Sequence, residues 1–165
     1  MNCVNIPLVQ IQALTPENVI AYGEMVKLPQ SRPTSEGDTY VFWSDIANYQ
    51  IDGKTEIGLC TVTAPANNIL SGMERHLHTP EILIPVDAPF AVPLLREGDD
   101  DGKLQVFRVN VGEAIVIHEG IWHGACIPLE KPKGTYFVIF KHQTPYEDVE
   151  KKAISRTAVN VWQRL

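Results

Sequence analysis

The chain is poor in several features that would mark whole protein classes. Its 165 residues include three cysteines, Cys3, Cys60 and Cys126, far apart and without a CxxC pair. That argues against a disulfide framework or a zinc knuckle, and it fits a reducing cytosol. No apolar run approaches the roughly 18 residues needed to span a bilayer, so no membrane association is expected. The opening stretch MNCVNIPLVQIQALTPENV lacks a basic segment followed by a continuous apolar one, so no secretory signal and a cytoplasmic location are expected. Positive charge is also scarce. Fourteen Lys and Arg against 20 Asp and Glu leave a net charge of −6, and no basic stripe is present, so nucleic acid is not an expected partner. No long repeat or low-complexity linker divides the chain, and one domain over 1–165 is expected.

What is present is ordinary in bulk: 44% apolar and 21% charged residues, enough to bury a core. Two helices are signalled. Thr15-Pro16-Glu17-Asn18 places a cap before a proline, with Val19, Ile20 and Met25 able to face the core and Gly23 as the break. Thr144-Pro145-Tyr146-Glu147 fits a capping box and predicts a helix over about 145–156. Between them the chain alternates in short Val- and Ile-rich runs bounded by Gly, Pro or Asp. Strands are expected at Tyr40–Phe42, Thr55–Val62, Glu81–Val86, Phe90–Leu95, Gln105–Val109, Glu113–Ile117, Gly124–Ile127 and Thr135–Phe140. Such spacing predicts an all-β fold, an antiparallel sandwich or jelly-roll barrel with a pocket at one mouth.

Two segments concentrate chemistry. GMERHLHTPEILIPV (72–86) places Glu74, Arg75, His76, His78 and Glu81 directly before an apolar strand. On extended backbone Glu74 and His76 share a face, Arg75 points the other way, and Thr79-Pro80 must re-aim Glu81. GEAIVIHEGIWH (112–123) has the same build, an apolar strand, a Glu119-Gly120 turn, then Trp122 and His123. The turn is expected to let His118 and His123 converge.

These residues resemble the cupin motifs. Gly112, Gly120 and His123 fall on the second motif, with His118 where proline is usual and Ile127 where asparagine is usual. His76 and Glu81 match the second histidine and the glutamate of the first motif, and Glu74 replaces its first histidine. Within that superfamily the chain is similar to the ureidoglycolate lyase family. LTPENVIAYGEMV, FWSDIANY, MERHLHTPEILIPV and VIHEGIWHGA carry the likeness, through Tyr22-Gly23, Asp45-Ile46-Ala47, Glu74-Arg75-His76, Ile84-Pro85, His118, Gly120 and Trp122-His123. The chain departs from the family at Glu81 (usually glutamine), at Gly124 (usually a second histidine) and in FKHQTPYED, which leaves the substrate's identity open.

The resemblance implies a cupin barrel with a divalent metal ion (Zn, Ni, Mn or Fe) on His76, Glu81, His123 and Glu74. It implies cleavage of ureidoglycolate, a carbinolamine beside a carboxylate, to glyoxylate and urea. A cation would hold the carboxylate and hydroxyl oxygens, and His118 or Glu74 would move the proton. Arg75 is a candidate for catalysis or substrate binding, against a plain outward ion pair. Trp122 and Lys141 are candidates for lining the substrate pocket. The alternatives are another metal-dependent cupin enzyme, an isomerase or oxygenase on a small polar acid or sugar, or a non-enzymatic cupin that binds a small ligand. A homodimer is expected by analogy with cupins of this size.

Overall fold

The computed structural model describes residues 5–162. Cys3 lies outside them. The strands are distributed over two large sheets. One holds β1 (Leu8–Ala13), β6 (Ile69–Arg75), β8 (Phe90–Leu95), β9 (Gln105–Val109), β11 (Trp122–His123), β12 (Ile127–Pro128) and β14 (Glu150–Asn160), in the order β11-β6-β14-β1-β9-β8-β12. The other holds β2 (Gly23–Val26), β5 (Thr55–Thr63), β7 (Glu81–Pro85), β10 (Ala114–Ile117) and β13 (Lys133–Lys141), in the order β2-β10-β7-β13-β5. A small hairpin, β3 (Ser35–Gly37) with β4 (Tyr40–Phe42), stands apart.

The seven-stranded sheet curls until β11 bonds to β8 as well as to β6, which closes it. Around β8 and β9 it is buried on both faces, as alternation along β8 shows. From β8, Phe90, Val92 and Leu94 face the five-stranded sheet and meet Leu83, Ile115, Ile117, Tyr136 and Val138. Ala91 and Leu95 face the other way and pack with Ile11, Val106, Trp122, Ile154 and Val159. The resulting barrel is the cupin-type, mostly β architecture, but it is not purely antiparallel. β1 enters between β14 and β9 and runs parallel to both. Among the described residues no helix is long and apolar enough to cross a membrane.

Both helices are single turns. The first, α1 (Pro16–Val19), has the expected cap: Asn18 N donates to Thr15 Oγ1 and Thr15 N donates to Asn18 Oδ1. Val19 is buried, whereas Ile20 points to solvent at 74% exposure. Gly23 is needed for a close approach, since a Cβ there would sit 1.8 Å from the Val116 carbonyl oxygen. The helix expected over 145–156 stops after α2 (Thr144–Glu147), and its cap is Gln143, with no side-chain bond. Asp148 leaves the helical region at φ −139°, and the chain continues as β14, bonded to β6 on one side and β1 on the other. The ladder to β6 outweighs the helix preference of EKKA, which in free energy is small per residue. The strand expected at Gly124–Ile127 is displaced. Gly124 instead donates to Pro93 O at 3.0 Å, and pairing resumes only at Ile127.

Candidate functional site

The two polar segments are two of the places where the chain crosses from one sheet to the other at the same end of the barrel. The first leaves β6 at Arg75 and re-enters as β7 at Glu81. The second leaves β10 at Ile117 and re-enters as β11 at Trp122, turning on Gly120 at φ +78°. They touch backbone to backbone, Gly120 N donating to His76 O at 2.7 Å. Glu81 is therefore presented from the opposite sheet, not re-aimed along one strand. His123 is the cross-strand partner of Glu74, which places both on one face.

The outcome is a buried cluster. Glu74, His76 and His123 offer ligand atoms that all lie within 4.8 Å of one another. Glu81 Oε2 stands 3.1 Å from His123 Nε2 and 3.7 Å from His76 Nε2. The two imidazoles are 5.1 Å apart between centroids, with Phe140 edge-on to His76 at 5.8 Å. His76 Nδ1 lies 2.7 Å from the Asp148 carbonyl, which can only accept, so Nδ1 carries the proton and Nε2 the lone pair aimed inward. His76 Nε2, Glu81 Oε2 and His123 Nε2 are buried without any hydrogen-bond partner. Each such orphan costs about 1–3 kcal/mol, and three buried polar atoms that converge without a hydrogen-bond partner fit a cation, which would be held by the Glu81 carboxylate and the imidazole lone pairs. The mixed nitrogen and oxygen set suits Zn, Ni, Mn or Fe.

The surroundings favour neutral forms when no cation is bound. Burial pushes the Glu81 carboxyl up to about 7, partly offset by His76. Burial, then the neighbouring His76, brings His123 down to about 4. Cys126 lines the same space, and burial raises its thiol well above the usual range, so with no cation bound it stays protonated.

Two adjoining hollows of about 400 and 410 Å³ flank the cluster and share Glu74, Glu81 and Lys151. Several expected site residues are not in them. His118 is half exposed, 4.0 Å from Glu24, beside Asn48, Tyr49 and Asp52 in a separate surface hollow. Ile115 and Ile117 fill the interior, so the next residue turns outward and does not converge with His123. Arg75 and Trp122 share the face opposite Glu74 and His123. Arg75 lies 4.4 Å over the Trp122 ring and pairs with Glu97 and Glu150 at 2.8 and 2.7 Å. Trp122 is buried in the second core cluster, and its Nε1 donates to Glu97. Lys141 follows Tyr136, Val138 and Phe140 in alternation, so its side chain is on the outer face, near Gly53. His78 is in the exposed turn, 3.1 Å from Asp148.

The sequence did not single out Asp148 or Lys151. Asp148 fastens the whole crossing, its carboxylate accepting from Leu77 N and His78 N at 2.9 and 2.8 Å. Both residues lie in or beside the segment expected to be helical. Ile154 and Val159 share the second core cluster although five residues apart, because the β14 register shifts between Ala153 and Thr157, so alternation counted back from Val159 would have put Lys151 on the wrong face.

A closed barrel with a histidine–carboxylate centre between its sheets is the cupin type of protein. The chain belongs to the ureidoglycolate lyase family, whose sequence model matches residues 6–161. No curated protein sequence matches it. Among solved structures it is similar to peruvianin-I, a cysteine peptidase from Thevetia peruviana latex, at TM-score 0.45 and 13% identity, over 61% of this chain and 56% of that one. It is also similar to oxalate decarboxylase from Bacillus subtilis, one structure of which concerns Mn(II) centres, at TM-score 0.44 and 15% identity, over 60% of this chain. The chain spans about half of the first and 23% of the second. Likenesses this distant assign neither activity nor ligand.

Proposed function

We propose that this chain cleaves ureidoglycolate to glyoxylate and urea by a metal-assisted elimination, with His76, His123, Glu81 and Glu74 as the candidate ligand set. The observation that carries the reading is the trio of buried, unpartnered polar atoms on His76, His123 and Glu81 in a chain of this family. A divalent cation there would supply positive charge for the hydroxyl and carboxylate oxygens of the substrate.

The chain's own groups account for the rest. His76 is held by Asp148 in the tautomer that offers Nε2 inward. Glu74, less buried than His76 or Glu81, borders both hollows. It is the side chain placed to accept the hydroxyl proton as the carbonyl forms and to return it to the departing urea nitrogen. Phe140 and Leu83 line the hollows and keep water from the reacting carbon. Arg75, Trp122, Lys141 and His118 have no part in this chemistry.

Metal analysis of the purified protein and a urea-release assay on ureidoglycolate test the reading together. Bound divalent metal and urea release are expected, and His76→Ala and His123→Ala should lose both. Full turnover in either variant overturns the site, and oxygen consumption in place of urea release overturns the reaction.

A further inference from the structure

We propose that Lys151 seats the carboxylate of the substrate, so that the site selects small acids carrying a leaving group next to their carboxylate. The inference rests on the proposed function for the identity of that acid, but not for the anion site itself. Lys151 is the direct cross-strand partner of Glu74 in the β14–β6 ladder, so its side chain stands on the face of the buried cluster. Its neighbour Lys152 stands on the other face, with Nζ 4.7 Å over the Trp122 ring. Those two are the cationic residues among the linings of the flanking hollows, and Lys151 alone borders both.

The charge balance calls for such a group. A substrate carboxylate entering here approaches Glu74 and Glu81. Without a cation on the entry side it meets like charge as well as desolvation. Among the described residues no carboxylate oxygen lies within 4.0 Å of Lys151 Nζ, although Glu74 is directly across the ladder, whereas Lys27, Arg75, Arg96, Lys103 and Arg108 each have such a partner. Lys151 thus has its ammonium donors free for a ligand, on an exposed stretch of strand held in register by its pairing with β6.

The test compares Lys151→Met, which keeps the apolar stem, with Lys151→Arg, which keeps the charge. The expected result for Lys151→Met is a KM raised about tenfold or more, as loss of a charge-assisted hydrogen bond implies. Its kcat should stay within about threefold and its metal content should be unchanged, while Lys151→Arg recovers most of the KM. Calorimetry with glyoxylate as probe reads the same contact without turnover. Lys151→Met should weaken glyoxylate binding by a similar factor and leave binding of the neutral glyoxylamide unchanged. Unchanged KM and unchanged glyoxylate affinity in Lys151→Met overturn the assignment, as does a wild-type protein that does not bind glyoxylate. If glyoxylate binding depends on Lys151 but no urea is released, the anion site stands and the proposed reaction falls.

Discussion

Asp148→Ala is the most informative single change, because it separates holding the site from being the site. The Asp148 carboxylate accepts from Leu77 N at 2.9 Å and His78 N at 2.8 Å and contacts His78 Nδ1 at 3.1 Å. His78 is 72% exposed, so that third contact adds little. A hydrogen bond to an ionised acceptor contributes about 1.5–3 kcal/mol. The amides released here can turn to water, so the two together give a loss nearer ~2 kcal/mol. At an m-value of about 2 kcal/mol/M, the urea midpoint of the metal-free protein should fall by roughly 1 M. Metal affinity should fall about 10–100-fold, because the loosened crossing carries His76, whose Nδ1 partner is the carbonyl of the same Asp148. Asp148→Asn keeps one acceptor and should lose about half as much. The sign with pH is fixed. Burial raises the Asp148 carboxyl, but the Leu77 and His78 donors outweigh it and hold it below its ordinary 3.8. Its stabilisation is therefore complete above that value and is lost on acidification below it, so wild type and Asp148→Ala should converge in strong acid. A midpoint and a metal affinity both unchanged in Asp148→Ala would refute this account of the crossing.

Gly23→Ala places a Cβ 1.8 Å from Val116 O and 2.9 Å from its carbon, both backbone, so β2 must separate from β10 at a cost of about 1–3 kcal/mol. Gly58→Ala meets nothing nearer than 3.9 Å and should change the unfolding free energy, read by urea denaturation, by less than about 0.5 kcal/mol; equal losses would contradict the close approach. Because Glu81 holds its proton up to about 7 and His123 loses its own near 4, metal should displace a proton from Glu81 and none from His123, and the Glu81 proton should lower its affinity about tenfold from pH 8 to pH 6. Calorimetry in buffers of different ionisation heat checks this, and a slope that survives in Glu81→Gln removes Glu81 from the ligand set.

The sequence was informative where one face of a strand is buried and was misleading where pairing alone decides. Thr55–Thr63 and Lys133–Lys141 alternate cleanly because each presents one side to the core, as their burial patterns show. β14 was hidden behind a true helix start, since Thr144-Pro145 does open a turn and nothing local says that the turn will not propagate. β1 and β6 were missed because their pairing depends on β14, on the far side of the chain. At the site, the proximity of His76 and His123 was expected through the resemblance to the cupin motifs, and Arg75 was legible as outward by alternation alone. His118 was misplaced because convergence across a turn was assumed where the chain in fact changes sheets. Lys151 and Asp148 had no local signal, since their roles come from register over about 75 residues and from a backbone carbonyl.

The sheet crossing also explains why so many unsatisfied groups are tolerated in one place. Glu81 belongs to the five-stranded sheet, Glu74 and His123 to the seven-stranded one, and His76 to the connection between them. In the absence of a cation the three orphaned polar atoms oppose the approach of the two sheets, by about 1–3 kcal/mol each. The sheets stay together because Phe90, Leu94, Ile115 and Ile117 are fully buried between them. The apolar core thus holds the four donors at their mutual distances before any ligand arrives, so a bound ion need not organise them. Binding at such a centre relieves an existing cost instead of ordering a loop, which is the condition under which a small set of side chains can hold a metal and still present one open side to a substrate.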